Sequence, residues 1–439
     1  MIPSRKTYLL LIASIFFAPV VAMFLGVNYT IFMLLCFDFI LLFLTIFDGW
    51  GVRKNRVKIS RELPLKLSIG RDNPVLLKLE GSNVNSVVKI CDYYPTEFEV
   101  SQSIVSANLS ANENQELTYT VKPNQRGEFT WGNIQIRQLG KWGLGWHNWQ
   151  ISKSEKVKVY PDLMGLKSLS IRLTLQSTGS IRKVRQMGIG TEFAELRNYR
   201  QGDDLRFVDW KATARRSYAN MGPLVRVLEP EQEQTLLILL DRGRLMTAKV
   251  QGLQRFDWGL NTTLSLALAG LHRGDRVGVA VFDRQIHTWI PPERGQNHLN
   301  RLIDRLTPIE PVLLESDYLG AVTHVVQQQT RRALVVVITD LVDITASSEL
   351  LAALSKLAPR YLPFSVTLRD PQIDKIAHTF TEDITTAYTR AVSLDLLAQR
   401  QVAFAQLKQR GVLVLDAPAN QISDQLVERY LQLKARNQL

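Results

Sequence analysis

Thr235–Asp241 reads TLLILLD, and Ala333–Asp340 reads ALVVVITD. Each is an uninterrupted apolar run that stops on an aspartate. A strand with one wet face alternates apolar and polar residues, whereas a run without polar positions must be covered on both faces. These two segments therefore read as central strands of a buried parallel sheet, and helices are needed to cover it. The surrounding sequence supplies them. Leu253–His272, Asn297–Leu306, Asp317–Arg332, Ser348–Leu357, Val392–Arg410 and Ile422–Ala435 carry apolar residues at helical spacing. Arg276–Phe282, Leu362–Leu368 and Val412–Leu415 are further short apolar strands. Residues 235–439 are thus predicted to form a doubly wound α/β domain. Such sheets bind ligands beyond the carboxyl ends of their strands, and Asp241 and Asp340 both stand there.

Upstream, residues 56–162 hold short β-branched and aromatic runs, such as LPLKLSI, NPVLLKLE, ELTYTVKP and EKVKVYP, punctuated by Gly, Asn and Pro. That rhythm predicts a small β-sandwich. Gly140–Trp149, GKWGLGWHNW, reads as a packed turn, and His147 has no neighbouring histidine with which to hold a metal. Residues 163–234 differ from both flanks, being polar and rich in arginine.

Residues 1–50 are almost wholly apolar. Tyr8–Gly26 and Tyr29–Phe47 each match the roughly 20 residues that cross a bilayer as helix. Val27-Asn28 is too short for a folded loop, so the pair predicts a transmembrane hairpin. Pro19 is expected to kink the first helix. Asp38, midway along the second, needs either a partner helix or water. Arg5 and Lys6 precede the hairpin, Arg53, Lys54, Arg56, Lys58 and Arg61 follow it, and the turn has no cation. The positive-inside rule then predicts a two-pass protein of the inner (cytoplasmic) membrane, with both termini and the soluble domains in the cytoplasm. A cleaved signal peptide is the alternative; the length of the first run and its lack of a small-x-small site oppose it.

The 439-residue chain is too long for one core and carries a net charge of +12. The cations gather behind the apolar segment, which favours a membrane surface over nucleic acid as the anionic partner. Two cysteines, Cys36 and Cys91, cannot build a disulfide framework or a cysteine-based zinc site. There is no phosphate-binding glycine loop, no G-x-S-x-G elbow and no H-E-x-x-H. No cofactor is therefore expected, and no enzyme motif stands out.

Two features carry candidate chemistry. Asp241 and Asp340, at two strand ends, could hold a hard divalent cation such as Mg²⁺. The bland reading is that Asp241 caps or pairs locally with arginine. The second feature is Gly188–Arg216, GIGTEFAELRNYRQGDDLRFVDWKATARR, in which acids and bases interleave. Interleaving favours an internal network of Arg–carboxylate pairs, in which loss of Arg206 would strand a buried carboxylate. The competing readings are a partner-docking surface and a metal-dependent nuclease or hydrolase built from Asp203, Asp204, Asp209 and Lys211. So many acids among the cations disfavour a nucleic-acid surface.

The run through Gly190-Thr191-Glu192-Phe193, Leu196-Arg197, Tyr199, then Gly202-Asp203-Asp204, Arg206, and Asp209-Trp210-Lys211-Ala212-Thr213-Ala214-Arg215 resembles the signature of domain-of-unknown-function family 58. Arg273–Gly278, Ser316-Asp317-Tyr318 and Thr339-Asp340-Leu341 extend the resemblance. It implies a von Willebrand factor type A-like domain on a two-helix membrane anchor. It also implies an interaction or adaptor role beside MoxR-type AAA+ ATPases in protein assembly or metal-centre maturation. On type A-like sheets the cation is held by an Asp-x-Ser-x-Ser loop, a Thr and a further Asp. Here the loop reads Asp241-Arg242-Gly243-Arg244-Leu245, while the resemblance keeps Asp340 and puts Ser316 or Asp317 near the Thr position, so the site is expected to be degenerate and to bind Mg²⁺ weakly or not at all. Serine restored at both hydroxyl positions, Gly243 and Leu245, is expected to raise affinity.

Overall fold

The computed structural model describes residues 2–179, 192–201, 203–215, 222–229, 234–341, 348–358, 360–379 and 383–436. Gly202 and Gly188–Thr191 of the signature lie outside the described residues. The chain forms two compact units, Met1–Asp162 and Leu163–Leu439.

The first unit opens with helices α1 (Arg5–Leu25) and α2 (Val27–Gly51). Ser4 starts α1 by accepting the Thr7 amide on its hydroxyl, which satisfies one of the donors a helix start leaves open. The break falls on Gly26, φ +82°, one residue before the expected Val27-Asn28 turn. Only a residue without Cβ takes that angle at no steric cost. Of the apolar windows of the two helices, only 6% and 17% is buried. Their side chains face outward, as suits a helix whose solvent is hydrocarbon. Asp38 finds its partner inside the hairpin, where Ser14 Oγ donates to it at 3.1 Å.

Both ends of the hairpin root in the 140–146 turn. Ser4 Oγ donates to the Gly143 carbonyl at 2.6 Å and Thr7 Oγ1 to that of Leu144 at 2.6 Å. Asp48, near the end of α2, accepts the amides of Trp142, Leu144 and Gly145 at 3.0, 2.9 and 3.2 Å. The first half of the Gly- and Trp-rich stretch is thus a packed turn, whereas residues 145–149, read as part of that turn, run on as a β-strand.

The rest of this unit is β-structure in a five-stranded, a four-stranded and a three-stranded sheet. Asn73–Glu80 shows why: Val75, Leu77 and Leu79 are fully buried while alternate residues are not, the period-two signature of a half-covered strand. Phe98 meets Phe129 and Trp131 edge to face at 4.9 and 5.9 Å, joining the four- and three-stranded sheets. Arg61 corrects the sequence reading. It does not belong to the wet basic collar. Its side chain is fully buried, with Nη1 on Asp92 Oδ1 at 2.6 Å, and Tyr119 Oη–H donates to the other Asp92 oxygen at 2.6 Å. The alternation of Lys58–Glu62 turns Arg61 inward, which charge counting alone misses.

The second unit contains α3 (Leu163–Gly179), a two-stranded hairpin of Glu192–Asn198 with Leu224–Glu229, and the short helix α4 (Trp210–Arg215). Its centre is a six-stranded sheet of β1 (Thr235–Asp241), β2 (Arg276–Phe282), β3 (Ile286–Glu293), β4 (Leu334–Thr339), β5 (Leu362–Arg369) and β6 (Leu413–Pro418). The spatial order is 3-2-1-4-5-6, the order of one common doubly wound class. The expectation of a parallel sheet needs one correction, since edge strand β3 runs antiparallel to β2. Its sequence, IHTWIPPE, carries two prolines, which an edge tolerates because one side of an edge strand makes no ladder bonds.

The helices between its strands are α5 (Arg255–His272), α6 (Gln296–Leu306), α7 (Tyr318–Gln328), α8 (Ser348–Leu357), α9 (Pro371–His378) and α10 (Ile384–Gln409), and α11 (Ile422–Ala435) follows the last strand. Leu237, Leu239, Val335 and Val337 pack with α7, α8 and the end of α10. On the opposite face Leu240 approaches Gly259 of α5, and α5 is flanked by α6 and α11. α3 also lies on α5, burying Leu166, Leu169 and Leu173. The start of the polar 163–234 segment is thus part of the α/β unit. Each such fully buried side chain contributes about 1.5–3 kcal/mol.

Candidate functional site

The strand order reverses between β1 and β4. Asp241 ends β1 and Asp340 directly follows β4, so both sit at the switch point where such sheets bind ligands. Asp241 is 1% exposed and its two oxygens are fully engaged. Oδ1 accepts the Gly243 amide at 2.7 Å and Ser316 Oγ–H at 2.5 Å. Oδ2 accepts Thr339 Oγ1–H at 2.6 Å and Tyr318 Oη–H at 3.0 Å. Burial pushes the Asp241 carboxyl above the ordinary aspartate range, and the three hydroxyls and the amide offset that only in part.

Asp340 meets different chemistry. Arg255 Nη1 lies 2.8 Å from Oδ2 and Arg400 Nη1 lies 2.9 Å from Oδ1, while the Leu341 amide donates to Oδ1 at 2.9 Å. Arg400 continues to Asp416, Nη2 to Oδ1 2.9 Å. Arg242 and Arg244 turn away to Asp283 and Glu315 at 2.8 and 2.6 Å. The structure therefore brings Asp241 and Ser316 together, and it aims Asp340 at two guanidinium groups.

These residues do not fit a hard divalent cation. Such an ion needs several free oxygen lone pairs, and here hydroxyls, amides and two arginines already claim them. Gly243 leaves no room to restore the missing ligand. A Cβ there would lie 2.0 Å from Ser316 Oγ and 2.8 Å from the Leu314 carbonyl. The expected benefit of a serine at this position is thereby reversed. Among the described residues no three His, Cys, Asp or Glu side chains gather as a metal site. Arg255, Arg400, Tyr318 and Thr339 were not singled out as site residues in the sequence. Tyr318 and Thr339 stood inside quoted family segments, whereas Arg255 and Arg400 gave no local signal.

The signature segment forms separate ion pairs, and they differ in exposure. Arg197 reaches Asp203 with both terminal nitrogens, at 2.8 and 2.5 Å, and the Arg200 amide adds 2.7 Å. The Arg197 guanidinium and that amide hold the Asp203 carboxyl below its usual range. Asp204 pairs with Arg206 at 2.7 Å, yet the Arg206 side chain is 85% exposed. Asp209 accepts the Ala212 amide at 2.9 Å and pairs with Arg226 at 2.8 Å. Each carboxylate thus has its own arginine. Lys211 and Arg215 are exposed. The expected single internal network is corrected to separate pairs: Arg197 and Asp203 shield each other, both 17% exposed, whereas Arg206 and Arg226 lie open to solvent. The same surface carries Trp210, 65% exposed, and Leu205, 64% exposed.

The family model described as "Protein of unknown function DUF58" matches residues 195–409. The uncharacterized protein Rv1480 of Mycobacterium tuberculosis is 22% identical over 213 residues, 47% of this chain and 65% of its own length. The chain thus spans about 65% of that relative. The uncharacterized protein YeaD of Bacillus subtilis is 26% identical over 113 residues, 26% of this chain and 25% of its own. Among solved structures, an aerotolerance-related membrane protein from Bacteroides fragilis is 14% identical, with a TM-score of 0.31, covering 46% of this chain and 99% of that one. The conserved hypothetical protein BatB from Bacteroides thetaiotaomicron is also 14% identical, with a TM-score of 0.29 and the same coverage. Residues 195–409 of this chain are thus a match to the DUF58 family.

Proposed function

We propose that this chain is a membrane-anchored adaptor: a two-helix hairpin in the inner membrane holds a type A-like domain in the cytoplasm, and the signature hairpin docks a partner protein. The observation that carries the reading is the exposure of Trp210 and Leu205 beside Arg206. Trp and Arg dominate the energetics of protein interfaces, and here an exposed Trp, Leu and Arg fall within six residues of one another. The family resemblance supports a MoxR-type AAA+ ATPase as that partner, in protein assembly or maturation. The type A-like reading is supported by Asp241, Ser316, Thr339 and Asp340 at the switch point. Contact with the partner needs no bridging Mg²⁺ in this reading, because the carboxylates that would hold it are occupied from within. The charge balance of the signature does not suit nucleic acid. The test is co-purification of the detergent-solubilised chain with a purified MoxR-type ATPase of the same organism, with and without EDTA. Trp210→Ala and Leu205→Ala should each abolish capture without lowering the melting temperature, and EDTA should change nothing. Undiminished capture by both variants would refute the docking surface.

A further inference from the structure

A cavity of about 180 Å³ opens in the first unit between the end of α2 and the β-structure. Its walls include Phe47, Val52, Leu139 and Trp142, with Lys141 and Ser86 among its polar groups beside two asparagines and a glutamine. Phe47 and Trp142 stack at 6.0 Å. Ser86 is 7% exposed, yet its hydroxyl has no hydrogen-bond partner. Its oxygen is closed off in the cavity wall, and because a buried hydroxyl left unmet costs free energy, a ligand group that reached it would recover that cost. Asp48 also lines the cavity, but three backbone amides engage its oxygens. The remaining nearby charge is positive. Arg53 and Lys54 follow Val52 directly, and Lys6 Nζ comes within 3.5 Å of where a Gly143 side chain would begin.

The cavity's place in the chain identifies the ligand. It lies at the last turn of the second apolar helix, the depth at which tryptophans and cations meet lipid headgroups. We infer that this cavity is a binding site for the headgroup of an anionic phospholipid, with phosphate on Lys141, a glycerol hydroxyl on Ser86, and Trp142 against the adjoining glycerol and acyl region. Basic pockets beside membrane helices take anionic lipids in this way. The site rests on the membrane anchor of the proposed function and adds to it a lipid preference. It would fix the headgroup against the same 140–146 turn that roots the hairpin.

The test uses the full-length chain in detergent, with native mass spectrometry counting retained phosphatidylglycerol against phosphatidylcholine. Wild type should retain phosphatidylglycerol preferentially. Lys141→Ala should lose about tenfold in apparent affinity, the size of one charge-assisted hydrogen bond. Ser86→Ala should lose affinity while leaving the lipid-free melting temperature unchanged or higher, since it deletes an unmet group. Equal retention of the two lipids, wild-type retention by Lys141→Ala, or full displacement by inorganic phosphate would each overturn the site. Carbonate extraction of membranes separates the two levels. A chain released by carbonate refutes the anchor itself, whereas an embedded chain without lipid preference refutes only the site.

Discussion

Arg400 of α10 is the residue that closes Asp340: its Nη1 lies 2.9 Å from the carboxylate, with the two side chains 6% and 2% exposed. The same guanidinium reaches Asp416 on β6, so one cation ties α10 to the ends of two strands. Removing one member of a buried pair costs about 3–5 kcal/mol, because the other charge is left stranded. A domain has only ~5–15 kcal/mol in all. Arg400→Met is therefore expected to take a large share of the stability of the α/β unit, read as a fall in the denaturant midpoint of the full chain. A change below about 0.5 kcal/mol would place Arg400 among ordinary surface residues.

The Asp241 loop gives an expectation opposite to the one its sequence suggests. Serine at Gly243 looks like repair of a ligand set, yet its Cβ would stand 2.0 Å from Ser316 Oγ. Overpacking of this kind costs about 1–3 kcal/mol. Gly243→Ser should lower the melting temperature and gain no heat of Mg²⁺ binding in calorimetry. Micromolar Mg²⁺ binding by wild type, lost in Asp241→Ala, would show that hydroxyls and arginines yield the site to metal.

How much of this was legible depended on the range of the interaction. TLLILLD and ALVVVITD announced buried strands because no polar position interrupted them, and the sheet contains both. The hairpin was equally plain, since its length and flanking charge are local properties. What pairs across the fold was not. Arg400 sits 60 positions from Asp340, and nothing in LAQRQVAF distinguishes it from a solvated helix residue. Arg61 read as part of a basic run, although strand alternation buries it. The first turns of α10, ITTAYTRA, carry little apolar periodicity, so the helix begins at Ile384 and not at the expected Val392.

The signature segment separates surface from support through pH. Arg206 is 85% exposed, so Arg206→Ala should leave the melting temperature unchanged. Asp203 is held below its ordinary value of 3.8 by Arg197 and the Arg200 amide. A carboxyl depressed in the folded state adds stability above its unfolded value and loses it as pH falls through the folded one. Asp203→Asn should therefore melt below wild type at pH 7. The gap should narrow as pH drops from about 4 toward 2. A gap that persists unchanged at the acid end would mean that Asp203 acts by shape and not by charge.

The orientation of the hairpin follows from charge and length together. Arg5 and Lys6 open α1, Arg53 and Lys54 follow α2, and the Gly26 turn carries neither Lys nor Arg. Moving that basic collar across the membrane is opposed by the bias that sets cytoplasmic loops. Both helix ends also meet one turn, 140–146, so they must share a side. Alkaline phosphatase fused after Leu439 should stay inactive, because it folds only outside the cytoplasm. With Cys36 and Cys91 replaced by serine, Asn28→Cys should react with a membrane-impermeant maleimide added to spheroplasts, and a cysteine at Lys54 should react only after lysis. Active phosphatase together with a protected Asn28→Cys would invert the topology and put the signature surface out of reach of any cytoplasmic ATPase. Active phosphatase with a labelled Asn28→Cys would mean that the first helix had not held the chain as a hairpin.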